Sequence, residues 1–309
     1  MVPEDGPASP LKAGGMVSAA HGFAIMARAK FNVRLEVGGK GPDGYHAIRS
    51  VIADLAVADV IDFSAASTFS IECDDRAITG EANLSYAAAR NLAIDLPSAR
   101  VFIKKVLPQQ SGLGGGSADA AATLRGIARI LAEMGRPIAD EALLAAAIET
   151  GSDVPACLFP GLKSIEGRGE KVRPLGFAPP PWGVLLLKPA VGVDTKSGYR
   201  VLDESRVTAT EDIESGDGMM RLIVALRKHD FDATCALAHN DFQAPIESAY
   251  PQIAAARRRV EDTGAPATSL CGSGSCVAGF FPSVEDAREA AARLSLLDGE
   301  WSCATGFTT

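Results

Sequence analysis

Pro108-Gln109-Gln110-Ser111-Gly112-Leu113-Gly114-Gly115-Gly116-Ser117-Ala118-Asp119 is the stretch on which the fold turns. Val101–Lys105 before it reads as a strand. After it, Ala121, Leu124, Ala128 and Leu131 recur at the spacing of one helix face. Glycine lets backbone N–H groups approach an anion without a Cβ in the way, and the first amides of a helix are unpaired and carry the positive end of its dipole. Strand, glycine loop and helix together make a phosphate cradle. Ser117 and Asp119 stand where a hydroxyl and a carboxylate can cap the first turn, and either can help hold Mg²⁺; Ser117 is the metal candidate. A Walker A loop needs a lysine after its last glycine, and none follows Gly116. The dinucleotide fingerprint needs glycine where Ser117 stands. The plain alternative is a tight turn with no ligand, against which stand four glycines in the five positions 112–116.

Upstream, Ala29, Phe31, Val33, Leu35 and Val37 alternate with Lys30, Asn32, Arg34 and Glu36, the period of a strand with one polar face. Lys30 and Asn32 therefore lie on one side, a pleat apart. Gly38-Gly39 and Pro42-Asp43-Gly44 are turn chemistry. Strands are predicted at Ile48–Leu55, Val60–Phe63 and Phe69–Cys73, and a helix capped by Asn83 with Leu84, Ala88 and Leu92 on its stripe.

Downstream, a helix over Asp140–Glu149 leads into Gly151-Ser152-Asp153-Val154-Pro155. Three successive prolines, Pro179, Pro180 and Pro181, mark a boundary at Phe177–Pro181. Beyond it come a strand (Val184–Leu187), helices (Met219–Arg227 and Gln252–Asp262), strands (Thr268–Cys271 and Val277–Phe281), a helix (Val284–Leu294) and a strand (Trp301–Ala304). That succession suggests a ferredoxin-like split βαβ domain with the extra helix inserted. Strands and helices do not alternate regularly in the first half, so the fold class is α+β. The domains expected are a flexible extension at 1–22, an N-terminal domain at 23–176 with the phosphate loop, and a C-terminal domain at 182–309.

The 309 residues suit two domains. With 30 Lys+Arg against 38 Asp+Glu the net charge is −8, which speaks against a nucleic-acid or anionic-membrane binder and leaves room for a local pocket taking a small anion. Arg257-Arg258-Arg259 reads as a solvated helix face. Hydrophobic residues at 47% and charged residues at 22% are those of a globular enzyme. The six cysteines lack C-x-x-C spacing and the four histidines lack H-x-x-x-H spacing, so buried free thiols are expected, with no zinc site. The first twenty residues lack an apolar core behind a basic start, and no stretch has membrane-span length. A cytoplasmic protein is expected, as monomer or homodimer.

The glycine stretch resembles the ATP loop of the galactokinase, homoserine kinase, mevalonate kinase and phosphomevalonate kinase superfamily. Ala29-Lys30-Phe31-Asn32 and Asp43-Gly44-Tyr45-His46 resemble the A-K-[IL]-N and D-G-Y-H signatures of the 4-diphosphocytidyl-2-C-methyl-D-erythritol kinase family, and 151–155 its G-A-D-V-P. Ser164–Pro174 and Gly272-Ser273-Gly274-Ser275-Cys276 fit as well, in consistent order from Ala29 onward. The chain departs from that family's pattern at Gln109–Ser111, at Ala118 in place of a serine, and at Val106 in place of a basic residue.

The resemblance implies a ribosomal-protein-S5-like N-terminal domain and a ferredoxin-like C-terminal domain. It implies Mg²⁺- and ATP-dependent phosphorylation of the 2-hydroxyl of a cytidine-diphosphate-linked methylerythritol, in the non-mevalonate route to isoprenoids. By resemblance Lys30 and Asp153 are the catalytic pair. ATP falls to Lys105, Pro108, Gln109, Gln110, Ser111, Gly112, Leu113, Gly114, Gly115, Gly116, Ser117 and Ala118. Substrate falls to Asn32, Tyr45 and His46, the last two at the cytosine, and to Gly272, Ser273 and Gly274.

Each residue has a plainer reading on its own. Lys30 fits a solvated strand face, Asp153 a turn cap before Pro155, His46 an ordinary loop histidine and Lys105 an edge-strand solubiliser. The functional readings prevail only jointly. A sister kinase for homoserine, mevalonate or a sugar, and a catalytically silent nucleotide-binding protein, stay open as alternatives.

Overall fold

The computed structural model describes residues 22–42, 44–78, 80, 83–206 and 217–309. Residues 1–21 of the expected extension and Asp43 lie outside the described residues. The chain packs as two compact units that are not consecutive in sequence. One takes in 22–27, Asp59–Lys105 and Gly116–Pro160; the other takes in Arg28–Ala58, Val106–Gly115 and Gly161–Thr309. Two long strands, β1 (Phe23–Lys40) and β2 (His46–Ala65), contribute residues to both.

In the first unit the end of β2 pairs antiparallel with β4 (Ala99–Lys104), from Val60↔Lys104 to Ala65↔Ala99, and β3 (Ser70–Cys73) adds in parallel. Asn83 caps α1 (Leu84–Asn91) by accepting from Ser85 N at 2.9 Å, as its residue type demands. The chain continues through α2 (Gly115–Glu133), α3 (Asp140–Thr150) and α4 (Val154–Leu158). Ala118 and Ala122 of α2 pack on Ile61, Phe63, Val101 and Ile103. Its other flank, with Leu124, Ile127 and Leu131, packs with α1, α3 and α4. At Gly126 a Cβ would stand 1.9 Å from the Phe63 ring, so glycine is what allows α2 to seat on the sheet.

The second unit holds β5 (Lys163–Gly167), β6 (Lys171–Pro174), β7 (Gly183–Lys188), β8 (His239–Asn240), β9 (Ala267–Leu270), β10 (Val277–Phe281) and β11 (Trp301–Thr308). Its helices are α5 (Thr195–Ser205), α6 (Asp217–Arg227), α7 (Phe231–Leu237), α8 (Gln243–Ala249), α9 (Pro251–Asp262) and α10 (Val284–Ala292). Four strands run in the order β11-β7-β10-β9 with every pairing antiparallel. In chain order that is fourth, first, third, second, the arrangement of a ferredoxin-like split βαβ. β7 is buried along its whole length, and Gly-Val-Leu-Leu-Leu-Lys is accordingly apolar without alternation. The insertion between β7 and α9 is larger than the single helix expected, comprising α5 to α8 and β8. Phe31, Val33, Leu55, Leu113, Leu186, Phe280 and Phe307 lie in the same core cluster.

The two strands expected at 48–55 and 60–63 are one strand, β2. Asp59, between those two segments, is buried within the strand and paired with Lys105. Arg257 and Arg259 are tied to Glu247, Glu261 and Glu300. The six cysteines are free thiols. No helix among the described residues is long and apolar enough to cross a membrane.

Candidate active site

In the second unit Lys30 and Asn32, on the polar side of β1, are buried, 5% and 2% exposed, while Arg34 and Glu36 beyond them are partly buried. The solvated-face reading of Lys30 is thereby corrected: alternation distinguishes the two sides of a strand but not what covers each. Lys30 Nζ donates to Asn32 Oδ1 at 2.8 Å, and Asn32 Nδ2 donates to Ser50 Oγ at 2.8 Å. Ser50 in turn donates to Arg34 O at 2.6 Å. The relay is directional. With its hydrogen committed to a carbonyl, Ser50 can only accept from Asn32, which turns the amide oxygen toward the ammonium.

The phosphate loop is wedged against this lysine. Lys30 N donates to Leu113 O at 2.9 Å, and a Cβ on Gly114 (φ +69°) would lie 2.6 Å from Lys30 Cγ. On the loop's other side a Cβ on Gly112 (φ +80°) would lie 1.7 Å from Cys271 O, and one on Gly274 2.2 Å from Gly112 N. Ser275 Oγ donates to Gln110 O at 3.1 Å and Cys276 N to Ser111 O at 3.0 Å. The glycines at 112 and 114 thus serve close packing of the loop as well as any approach by phosphate. Gly272–Cys276 backs the phosphate loop, and the same turn reaches Lys30: a Cβ on Gly272 would stand 3.1 Å from its Nζ.

Tyr45 and His46 differ in their surroundings. Tyr45 is 58% exposed, with the Arg168 guanidinium 4.3 Å from its ring centre. His46 is enclosed. Its Nδ1 lies 2.9 Å from Gly38 O, and since a carbonyl only accepts, Nδ1 carries the hydrogen. Its Nε2 is 3.1 Å from Asp203 Oδ1, and its ring stacks on Tyr199 at 5.1 Å. An ordinary loop histidine would not be held on three sides. Tyr199 and Asp203 belong to α5, which sequence reading missed. The signal was present: Asp194 accepts from Ser197 N at 2.9 Å, and an Asp ahead of Thr-Lys-Ser is a helix-start signature.

In the first unit Asp153 stands at the head of α4 with Pro155 in its first turn, and its side chain makes no capping hydrogen bond. The capping explanation therefore does not account for this carboxylate. Lys105 is no edge solubiliser either. Its Nζ contacts Asp59 Oδ2 at 2.5 Å and Asp119 Oδ2 at 2.6 Å, with both carboxylates buried. Burial above all, opposed by the Lys105 charge and reinforced by the like charge of Asp59, leaves the Asp119 carboxyl raised to about 7. Burial alone would lower the Lys105 ammonium, but the two carboxylates outweigh it and the net direction is up. Ser117 lies half-buried in the first turns of α2, two residues before Asp119, whose Oδ1 is buried with no hydrogen-bond partner. Hydroxyl and carboxylate oxygens are the donors Mg²⁺ prefers, but two residues apart on one helix these two side chains do not face each other.

The phosphate loop, the buried lysine and the split βαβ unit define a class, and comparison agrees with it. The chain matches the GHMP kinases N terminal domain over residues 83–161 and the GHMP kinases C terminal domain over residues 222–296, so it is an ATP-dependent small-molecule kinase. It is 34% identical over 264 residues to the 4-diphosphocytidyl-2-C-methyl-D-erythritol kinase of Shouchella clausii, covering 84% of this chain and 85% of that one. It is 36% identical over 276 residues to the enzyme of that name from Moorella thermoacetica, covering 88% and 94%. A crystal structure of 4-(cytidine 5'-diphospho)-2C-methyl-D-erythritol kinase superposes with a TM-score of 0.74 at 26% identity, over 92% of this chain and all of that one. The chain belongs to the 4-diphosphocytidyl-2-C-methyl-D-erythritol kinase family.

Proposed function

We propose that the protein transfers the γ-phosphoryl group of ATP to the 2-hydroxyl of 4-diphosphocytidyl-2-C-methyl-D-erythritol, giving the 2-phosphate and ADP, a step of non-mevalonate isoprenoid synthesis. The observation that carries it is the buried Lys30–Asn32–Ser50 relay with the phosphate loop packed on the lysine stem. Phosphoryl transfer is mostly positioning and charge stabilisation, and this arrangement supplies both from one strand and one loop.

Lys30 offsets charge on the transferring group, and Asn32 fixes its ammonium. Asp153, at the head of α4, orients the acceptor hydroxyl and takes its proton. As the new P–O bond forms, the bond from the γ-phosphorus to the bridging oxygen breaks and ADP leaves. Residues 108–118 hold the ATP phosphates through backbone amides, and Lys105 anchors the first turns of α2 through Asp119. Bound Mg²⁺ would screen phosphate charge, with Ser117 as its protein ligand. Tyr45 and His46 take the cytosine, and Gly272–Gly274 flanks the substrate near Lys30.

The functional division follows the sequence, with the ATP-binding part at 23–176 and the second part at 182–309; the family matches fall one on each side and support it. The net charge of −8 supports a small substrate in preference to nucleic acid or an anionic membrane, for a cytoplasmic enzyme acting as monomer or homodimer. Phosphorus NMR of the product tests the regiochemistry. A new phosphomonoester on the 2-oxygen is expected, whereas phosphate on another hydroxyl, or inorganic phosphate alone, would overturn it.

A further inference from the structure

Asn240 belongs neither to the phosphate loop nor to the motifs that carry the resemblance. It ends β8 and is 4% exposed. Its amide is saturated: Nδ2 donates to Leu270 O at 2.7 Å and to Gly272 O at 2.8 Å, while Oδ1 accepts from Phe242 N at 3.0 Å. The two carbonyls bracket Cys271, where β9 gives way to the turn that backs the phosphate loop. A compact side chain that donates twice and accepts once is an asparagine; aspartate has no donor and serine only one.

The consequence lies in what Gly272 touches. Its φ is +53°, and a Cβ there would stand 2.9 Å from Gly112 O and 3.1 Å from Lys30 Nζ. Asn240 is also registered on the strand that bears Lys30: Leu35 pairs with it, and Asp241 N donates to Leu35 O at 3.1 Å. One residue thus ties β1 to the turn that walls the Lys30 ammonium and the phosphate loop.

We propose that Asn240 is a positioning residue for phosphoryl transfer, fixing the Gly272 turn against Lys30 and Gly112. The proposal rests on the reading of Lys30 as the lysine of the transfer site. Displacement of a reacting group by about 1 Å costs on the order of 10²-fold in rate.

Asn240→Asp keeps the shape and replaces the donors with a carboxylate facing two carbonyls. Asn240→Ser keeps one donor without a buried charge and serves if aspartate prevents folding. In the full chain kcat should fall about 10- to 100-fold, with the substrate KM changed far less. Acetylation of the Lys30 amine by acetic anhydride, mapped by peptide mass spectrometry, should rise severalfold as its wall loosens. Wild-type kcat and wild-type Lys30 labelling in a folded variant would overturn the proposal. So would a fall in kcat with unchanged labelling, since Asn240 would then serve the fold in general. Lys30→Met separates the two readings. If it keeps turnover, the role of Lys30 is wrong; if it is inactive while the Asn240 variants are fully active, only the proposal for Asn240 falls.

Discussion

Gly112→Ala perturbs the point where two backbones meet. The added Cβ would lie 1.7 Å from Cys271 O, 2.7 Å from Cys271 C and 2.9 Å from Gly274 N, none of them a side-chain end that can swing away. An ordinary C···O approach is about 3.3 Å, so one loop must retreat by about 1.6 Å. Neither is free to do so cheaply, because Cys276 N is bonded to Ser111 O and Ser275 Oγ to Gln110 O. The φ of +80° adds about 1–2 kcal/mol for any residue with a Cβ. A displacement of that size at the phosphate loop should lower kcat by about 10²-fold or more, which corresponds to about 2.7 kcal/mol in the transition state. ATP affinity should fall as well. Gly135→Ala is the control: its φ is +73° but nothing lies within 4 Å of the new Cβ, so it carries the conformational cost without the clash. Coupled ADP-release kinetics and thermal melting of both variants give the comparison. If folded Gly112→Ala matches Gly135→Ala in kcat and ATP affinity, the loop is not positioned by this contact and the reasoning fails.

Asp153→Asn should reduce turnover by about 10²- to 10⁴-fold while ATP binding, followed by calorimetry, persists. The Asp119 carboxyl, at about 7 in the folded protein against an ordinary 3.8, holds a proton that the unfolded chain has already released across that range. Its contribution to stability is therefore complete below the unfolded value and lost as pH rises through about 7. The melting temperature of the wild type should accordingly fall relative to Asp119→Asn between about pH 4 and 7 and level off above that, and parallel curves would show that the group does not titrate there. Gly126→Ala should destabilise by about 1–3 kcal/mol or more, because its Cβ would overlap the Phe63 ring; a denaturant melt at the wild-type midpoint would contradict the seating of α2.

The ferredoxin-like half was legible because its strands are apolar runs bounded by glycine and proline, and its chain order fixes the pairing. Of the inserted helices only α6 was, expected at Met219–Arg227 and found at Asp217–Arg227. α7 and α8 have seven residues each, and the signal for α5 is the Asp194 cap with Val201 and Leu202 on its buried side. β2 runs unbroken through Asp59, whose pairing with Lys105, 46 residues away, leaves no local trace. At the site, motif order pointed to Lys30, Asp153, His46 and the glycines jointly. Burial of Lys30, its relay through Asn32 to Ser50, and the stacking of Tyr199 on His46 depend on contacts between distant segments. Asn240 is the extreme case: a single polar residue whose importance lies entirely in which carbonyls the fold brings to it.

The most direct measurement is ADP release from Mg·ATP with 4-diphosphocytidyl-2-C-methyl-D-erythritol, mevalonate and homoserine offered in turn. Turnover is expected with the cytidine-diphosphate substrate alone. Comparable turnover of mevalonate or homoserine, or none with any of the three, would contradict the proposed activity.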